Sequence, residues 1–368
     1  VIMARWIAAI DSHKLTIQSQ AHHTDARRVR GQQDRLIGAR QSAILGFLHG
    51  HTHTAAWNHS YNSKAEVLMR TSILLISLTA LVTPLAAEGL LTPEVVRTGN
   101  DAYVWNSKMT CGTTEKGVTR YGMWEGKLYS RVPGEKDRHL FDVVGINTRQ
   151  CDQSTDPKRG NGFRSVSREI MVYLDPATNA IIDQWQNPWT GEKVDVIHVA
   201  NDPVNMRRMS YAMGENGEPA KVTLRQYDDT LVSSSEVPLF YTNPLTGDYQ
   251  DYVGGKYHAM EIFNTFYRTA DFINAKKART GESRISWQRV SNFLPWMKMG
   301  DRQGLMIFNA TGFSTFDKQK ISPKLMEVLN TRYAKYLTPP PVDDARPNET
   351  TWTVVKKWVD EKRAAEKK

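Results

Sequence analysis

Apolar and polar side chains alternate over many short stretches between residues 109 and 317, which is the pattern of half-buried β-strands. The clearest stretch is 164–175, where one face would carry Val166, Ile170, Val172 and Leu174. Turn residues separate the stretches and indicate a meander of antiparallel strands. The other strands are predicted at 181–185, 194–199, 221–227, 230–239, 283–290 and 305–310.

Many short strands joined by sequential turns predict a mainly β fold. We expect an antiparallel lipocalin-like barrel, with a β-sandwich as the alternative. Residues 257–272 fit one bent strand better than a helix. Flanking helices are predicted at 90–108 (with a connector), 324–337 and 350–362, the last with Trp352, Val355 and Val359 at helical spacing and facing the barrel.

Residues 69–87 have the order of a secretory signal, with Met69 and Arg70 first, an apolar stretch next and small residues before Glu88. The apolar stretch of about 13 residues is shorter than the roughly 20 that a membrane-spanning helix needs. We therefore expect cleavage, a periplasmic or secreted protein without a stable membrane span, and a single β-rich domain over 88–368. An uncleaved anchor is the alternative.

Residues 1–68 show little apolar periodicity, and we expect them to be a disordered upstream extension from a mis-assigned start, with a genuine extension as the alternative. They hold seven of the ten histidines. The rest of the chain therefore has three histidines and two cysteines, and we expect no metal site there. Nine of the 48 Lys and Arg and four of the 39 Asp and Glu precede residue 71, which leaves 39 basic and 35 acidic side chains, a formal charge of +4. This balance does not indicate a nucleic-acid partner.

The sequence has two cysteines, Cys111 and Cys151. Export into an oxidising compartment favours a disulfide between them, and two free buried thiols are the alternative. No dinucleotide fingerprint, P-loop, nucleophile elbow, zinc-protease motif or Cys-x-x-Cys pair occurs after residue 87, so we expect no cofactor.

The densest group of candidate catalytic residues lies at 195–205. His198 shares a predicted strand face with Val194 and Val196, and Asp202 and Asn205 follow at the end of the strand. An inward histidine near a carboxylate can act as a general base, with Asp202 as its orienting group. The alternative is a buried histidine beside an Asx turn.

A second group, at 287–299, combines aromatic and Met side chains with fixed charges, which suits a small organic ligand. Arg289 would anchor an anionic group on the strand face that also carries Trp287. The other candidate lining residues here are Trp296, Lys298 and Met299. Core packing with exposed cationic tips is the alternative.

Further candidate ligand-binding residues are scattered along the chain. Arg168 interrupts an apolar strand face and would need an anionic partner. His258 and Glu261 would face opposite ways on a strand. An Asn-Pro-x-Thr-Gly pattern occurs at 187–191 and 243–247, and it adds the aromatic candidates Trp185, Trp189 and Tyr241. The pattern indicates either two similar hairpin turns or a duplicated unit around one site.

Two long segments carry a resemblance to a known family. Residues 163–205, with Tyr-Leu-Asp-Pro, Asn-Pro-Trp-Thr-Gly and His-Val-Ala-Asn-Asp-Pro-Val-Asn, and residues 287–300, with Leu-Pro-Trp-Met-Lys-Met-Gly, resemble a bacterial and fungal family of unknown function, number 1838. The resemblance covers nearly all of the chain after the signal and implies that the domain begins there. It implies no activity and no catalytic residues.

Two functions therefore follow from the sequence. The first is an exported protein whose aromatic-lined pocket binds a small organic ligand that is apolar or aromatic, and in some cases anionic. The alternative is a cofactor-free lyase, isomerase or hydrolase that uses His198 as general base in the same pocket.

Overall fold

A large antiparallel sheet organises the part of the protein that the structure describes. The computed structural model describes residues 93–242, 256–274 and 276–367, without the side chains of residues 241, 242 and 256. Residues 1–68, the predicted signal at 69–87 and the second Asn-Pro-x-Thr-Gly pattern lie outside the described residues.

The strands found in these ranges are β1 Glu94–Thr98, β2 Arg120–Arg131, β3 Arg138–Asp156, β4 Gly160–Leu174, β5 Gln184–Gln186, β6 Lys193–Asp195, β7 Val199–Asn201, β8 Ser210–Tyr211, β9 Lys221–Tyr227, β10 Thr230–Thr242, β11 Lys256–Arg268, β12 Ser283–Ser291 and β13 Leu305–Thr315. The α-helices are α1 Gly99–Cys111, α2 Ala270–Ile273, α3 Pro323–Arg332 and α4 Thr351–Glu366. Short 3-10 turns cover Pro295–Met297, Lys318–Lys320 and Ala334–Leu337.

One hydrogen-bonded path joins most strands, in the order β1-β9-β10-β11-β12-β13-β2-β3-β4-β7, with β8 paired to β4 and a separate β5–β6 ribbon. The prediction of a mainly β, antiparallel fold is confirmed. The sheet is not closed into a barrel, and it is one continuous path instead of the two sheets of a sandwich. Helix α1 contacts β1 and β9 at one end of the path and β4 near the other, so a helix lies where a closing strand would pair.

The helix predicted at 90–108 is wrong in its first part. Within the described residues, 94–98 form β1, which pairs with β9, and the helix begins only at Gly99. Val95 and Val96 favour a strand because they are β-branched, and the paired edge of β9 decides the outcome. The strand prediction for 257–272 is confirmed as far as Arg268, after which the short helix α2 follows.

The two C-terminal helices are close to their predicted positions. The predicted helix at 324–337 is divided, because α3 ends at Arg332 and a 3-10 turn follows. Thr350 caps α4 through a reciprocal pair of hydrogen bonds with Thr353, which fixes its first turn. The stripe Trp352, Val355 and Val359 is buried in the main core.

The two faces of the sheet bury different clusters. We call inner the face that carries Phe141, Tyr173 and Trp287, together with α4. On the outer face of β2, β3 and β4, a second cluster packs against α3 and the following turn, with Leu329 and Tyr336 nearly inaccessible. None of the helices in the described ranges has both the length and the apolar character needed to cross a membrane.

Candidate functional site

The inner face changes character halfway along the strands. Around Trp287 and Phe308 it carries large apolar side chains, which fill the space between them. Towards α1 the same face carries small or polar residues, and a cavity of about 70 Å³ remains. We call it the inner cavity. The residues that line it from the inner face are Arg120, Gly122, Trp124, Asn147, Arg149, Phe263, Thr265, Tyr267, Ser283, Ile285 and Ser314, and α1 adds Met109 and Thr110.

Two arginines on neighbouring strands lie in the inner cavity. Arg120 donates to Thr280 Oγ1 at 2.9 Å, Ser283 Oγ at 3.3 Å and the Gly281 carbonyl at 3.3 Å. Arg149 donates from Nε to Asn147 Oδ1 at 2.8 Å and from Nη1 to the Thr110 carbonyl at 3.0 Å. Within the described ranges, neither guanidinium forms an ion pair with a carboxylate. Their hydrogen-bond partners are neutral oxygens.

Burial of the two charges changes their acidity. Desolvation lowers the pKa of Arg120 to about 10, and the nearby positive charge of Arg149 adds to this effect. Desolvation also lowers the pKa of Arg149 to about 10, while Glu169 opposes the shift from a distance. Burial raises the pKa of Tyr267 to about 12, against the opposing effect of both arginines. At neutral pH the inner cavity therefore holds two guanidinium cations and a protonated phenol.

Trp124 and Phe263 supply the aromatic walls of the inner cavity. The Trp124 indole lies flat over Gly145, whose missing side chain makes room for it, because a Cβ there would be 2.4 Å from the ring. The Trp124 Nε1–H group is buried and has no hydrogen-bond partner among the described residues. A buried donor without a partner costs free energy, which a bound acceptor would recover.

Helix α1 forms the roof of the inner cavity at its C-terminal end. Cys111 is joined to Cys151 of β3 by a disulfide with a Cα–Cα distance of 6.0 Å. Gly112 ends the helix with φ of 74°, and Arg120 lies so close that any Cβ at this position would overlap the guanidinium. The C-terminal end of α1 is thus held by the disulfide at Cys111 and by the close contact between Gly112 and Arg120.

A second, smaller chamber of about 30 Å³ lies beyond the stacked rings of Phe263 and Trp287, whose centroids are 6.3 Å apart. Arg289 dominates it, donating to Glu261 Oε1 at 2.9 Å and to the Tyr257 hydroxyl at 3.0 Å. Trp352 of α4 closes the chamber against Tyr257. The structure therefore brings together the predicted residues Arg289, Glu261 and Trp287.

The other predicted aromatic residues form a packed cluster. Trp185, Trp189 and Trp296 contact one another or Phe141 with centroid distances of 5.4 to 6.1 Å. The Asn187 side chain ties this cluster to the Met297 carbonyl and to Met299 Sδ. Lys298 lies at the edge of the cluster, 3.9 Å from Glu192. These residues fill space around the main core and do not line either interior space.

His198 is held in a fixed tautomer. Its Nδ1 accepts the backbone N–H of Tyr173 at 3.2 Å, so the ring proton of the neutral form is on Nε2, which is 4.0 Å from Asp183 Oδ1. Burial lowers the pKa of His198 to about 4, and Arg332 adds to the shift. A neutral imidazole whose acceptor nitrogen is already occupied has no free lone pair with which to take a proton. His198 lines neither the inner cavity nor the Arg289 chamber.

The structure does not bring Asp202 to His198. Asp202 instead lies among three cations, 3.4 Å from Arg168, 3.1 Å from Lys335 and 3.0 Å from Arg346. Burial opposes ionisation of Asp202, but these partners hold its pKa below the usual value. Two of these partners, Lys335 and Arg346, belong to the segment after α3, so the contacts of Asp202 do not support its predicted orienting role, which stays a prediction.

Three further predicted residues are Asn205, His258 and Tyr241, of which Asn205 and His258 line neither interior space. Asn205 is buried, accepts the Ser167 backbone N–H at 3.1 Å and donates to the Asp344 carbonyl at 3.2 Å. His258 is exposed on the outer face, and its ring meets Phe240 edge to face. Tyr241 lies on β10 opposite Tyr257, but its side chain is outside the described residues. The ligand-binding and catalytic roles of all these residues stay predictions.

A wider cleft, about 550 Å³, is on the outer face, between the sheet and the start of α3. Phe266, Arg284 and Phe313 follow one another across three strands of its floor. Its charged groups are exposed, so water screens them more than it screens the two interior arginines. None of the residues predicted from the sequence lines this cleft.

The comparison with protein families decides the identity of the domain. The family model DUF1838, described as a protein of unknown function, matches residues 117–359, well over half of the chain. The chain belongs to this family. The resemblance found in the sequence is thereby confirmed. The DUF1838 match includes Arg120 and Arg149 but begins after α1, and the roof of the inner cavity thus lies outside it. No curated protein matches the chain.

The sequence analysis missed Arg120 and Arg149, which both precede the first resemblance segment. The available signal was the run of glycines at 122, 126 and 145 in strands β2 and β3, since glycine in a strand marks a close approach or an open space. Alternation places Arg120 and Arg149 on the glycine faces of their strands, but whether the two arginines become neighbours depends on strand register, which the sequence does not show. In the described part of the chain, no group of three His, Cys, Asp or Glu side chains could hold a metal ion.

Proposed function

We propose that the protein binds a small organic molecule in the inner cavity, on the inner face of the sheet. The observation that carries the proposal is a cavity that combines the apolar walls of Trp124, Phe263 and Ile285 with fixed polar groups, on the face of the sheet that is closely packed around Trp287. Pockets of this composition, mostly apolar walls with a few fixed polar groups, are typical of ligand sites. In this proposal the ligand lies against the inner face of an antiparallel sheet, as it does in a lipocalin.

The volume of the cavity limits the ligand. A cavity of about 70 Å³ has room for the centres of about five water molecules, at ~10–15 Å³ each. A compact ligand of about five non-hydrogen atoms would fill this space without moving α1. Larger aromatic ligands would require the roof residues Met109 and Thr110 to move.

We propose binding outside the cytoplasm. The disulfide between Cys111 and Cys151 supports this location, because such bonds persist in oxidising compartments. The test is to express the chain with residues 69–87 intact, fractionate the cells and identify the N-terminus of the product. A product that stays in the cytoplasm with these residues attached would contradict the proposal.

Binding can be tested with a thermal-shift screen of small acids, amides, alcohols and amines, followed by calorimetry on the hits. Gly122→Ala is the informative variant, because its Cβ would enter the cavity 3.3 Å from Ser314 Oγ. We expect at least a tenfold loss of affinity in this variant. Thr311→Val on the exposed outer side of β13 is the matched control and should bind normally. The proposal fails if no compound binds, or if Gly122→Ala binds every hit as tightly as the unsubstituted protein.

The alternative function, catalysis with His198 as general base, stays a prediction. The contacts of His198 do not favour it, because Nδ1 is occupied and the side chain lines neither interior space. A pH profile of any discovered activity would test it. An activity that survives in His198→Asn would exclude the role.

A further inference from the structure

The two arginines of the inner cavity differ from two other largely buried arginines, Arg289 and Arg168, in what balances their charge. Arg289 faces Glu261 directly across two strands, at 2.9 Å. Arg168 lies 3.4 Å from Asp202. Arg120 and Arg149 contact only hydroxyl, amide and carbonyl oxygens among the described residues. Burying a cation without an anion is costly, and proteins usually supply a carboxylate or a bound ligand.

The nearby acidic groups are engaged elsewhere. Glu169 accepts a hydrogen bond from Asn201 Nδ2 at 2.7 Å. Asp271 forms an ion pair with Lys277 and accepts the Gly281 backbone N–H. Both carboxylates offset the arginine charges only over a distance. The C-terminal carbonyls of α1 contribute a further partial negative charge.

Hydrogen-bond donors are left over around the cavity. Arg149 uses Nε and Nη1, but Nη2 makes no hydrogen bond among the described residues. Trp124 contributes a buried indole N–H that is also without a partner there. The Tyr267 hydroxyl, which also lines the cavity, is buried without a partner there too. Three unused donors and no unused charged acceptor are the complement of a ligand that accepts hydrogen bonds through more than one oxygen.

A role limited to capping α1 explains part of this arrangement. Arg149 Nη1 donates to the Thr110 carbonyl, one of the carbonyls that a helix end leaves without a partner. That contact uses one of the five guanidinium N–H groups. It does not account for Nη2, for the second cation Arg120 or for the cavity between them.

We infer that the ligand of the inner cavity is a small, flat monocarboxylate with about four to six non-hydrogen atoms in all, the carboxylate included. This inference rests on the proposed function and names its ligand class. The carboxylate oxygens accept from Arg149 Nη2 and from the Trp124 indole N–H, while Arg120 supplies the second positive charge. The flat body lies between the rings of Trp124 and Phe263. A single negative charge suffices because Glu169, Asp271 and the end of α1 already offset part of the two cations.

The experiment compares charged and neutral ligands of the same shape on the unsubstituted protein. Calorimetry at low ionic strength is carried out with acetate against acetamide, and with pyruvate against pyruvamide. Benzoate tests the size limit, and nitrate tests an inorganic anion of similar shape. We expect each carboxylate to bind at least tenfold more tightly than its amide, benzoate to bind more weakly than acetate, and nitrate to compete.

The outcomes separate the inference from the proposed function. If the amides bind as well as the carboxylates, the site exists but the anionic ligand class is wrong. If hits appear only among cations or alcohols, the inference is likewise overturned while the proposed function stands. If none of the compounds binds in either experiment, both fail. This comparison does not depend on whether any variant folds.

Two variants then assign the charge. Arg149→Gln removes the cation, and we expect at least a tenfold loss of carboxylate affinity. Arg164→Gln is the matched control, because Arg164 also donates to main-chain carbonyls, those of Asp344 and Val342, but does not line the cavity. If Arg149→Gln does not fold, Trp124→Phe replaces it in the affinity measurement. Trp124→Phe also identifies the Trp124 indole N–H signal in the NMR spectrum, which acetate should shift in the unsubstituted protein. Unchanged carboxylate affinity in both variants, or in Trp124→Phe alone if Arg149→Gln does not fold, would overturn the inference.

Discussion

Arg289 on β12 and Glu261 on β11 occupy directly opposite positions, and Arg289 Nη1 donates to Glu261 Oε1 at 2.9 Å. Both side chains are mostly buried, with 17% and 7% of their surface accessible. An ion pair in such a place is costly to break from one side only, because the remaining charge loses its partner in a poorly solvated site.

We therefore predict that Glu261→Gln lowers the free energy of unfolding by about 3 kcal/mol or more. The double variant Arg289→Met with Glu261→Leu should cost much less than the sum of the single changes, since it removes both charges together. Urea unfolding of the single and double variants gives the coupling energy directly. Additive effects would show that the pair contributes no coupling.

The lowered pKa of His198 predicts that the free energy of unfolding depends on pH in the acidic range. Its pKa in the folded protein is about 4, below the ordinary value of 6.5, so between these pH values the unfolded chain binds more protons than the folded one. The free energy of unfolding should thus fall as the pH falls from 6.5 to 4, by about 3 kcal/mol from this residue. Above pH 6.5 the residue is neutral in both states and contributes no pH dependence.

His198→Asn isolates this contribution, because an amide oxygen can accept the Tyr173 backbone N–H in place of Nδ1. The difference in stability between the variant and the unsubstituted protein, measured by urea unfolding at pH 4 to 7, should change with pH in the sense given above. An NMR titration that finds an ordinary histidine pKa would contradict the burial argument.

The disulfide between Cys111 and Cys151 closes a long loop, with a sequence separation of 40. On the chain-entropy model such a bond stabilises the fold by about 4 kcal/mol. We predict this loss for the double variant Cys111→Ser with Cys151→Ser, measured by urea unfolding. Because both sulfurs are buried, a thiol reagent should react with the reduced native protein much more slowly than with the unfolded one. Rapid labelling of the native state would show that α1 opens readily.

Asp202 and its three cations provide a test of buried charge clusters. Asp202→Asn should lower the free energy of unfolding by about 3 kcal/mol, because Arg168 would lose its nearby carboxylate in a mostly buried position. The control is Glu327→Gln in the exposed pair of Lys324 and Glu327, where the expected change is below about 0.5 kcal/mol. Equal effects in the two variants, measured by thermal and urea unfolding, would contradict the prediction.

The alternation of apolar and polar residues determined much of the fold. In β4, Ile170, Val172 and Leu174 lie on one face, as predicted, because a period of two places them together whatever the partner strand. The stripe Trp352, Val355 and Val359 could also be predicted from local sequence, since helical spacing alone puts these side chains on one side of the helix. The sequence also placed Trp287 and Arg289 on a common strand face.

Only the tertiary structure decided what those faces meet. Arg120 and Arg149 are 29 positions apart in the chain, and the antiparallel register of β2 with β3 makes them direct neighbours. The period of two already puts Gly122 on the face of Arg120 and Gly145 on the face of Arg149, and the register pairs Gly145 with Trp124 and Gly122 with Asn147, which leaves the cavity open. Asp202 follows His198 by four residues, yet its carboxylate pairs with Arg346 from the far end of the chain. Periodicity fixes which side of a strand a residue occupies, whereas long-range pairing fixes its neighbours, and a site is defined by neighbours.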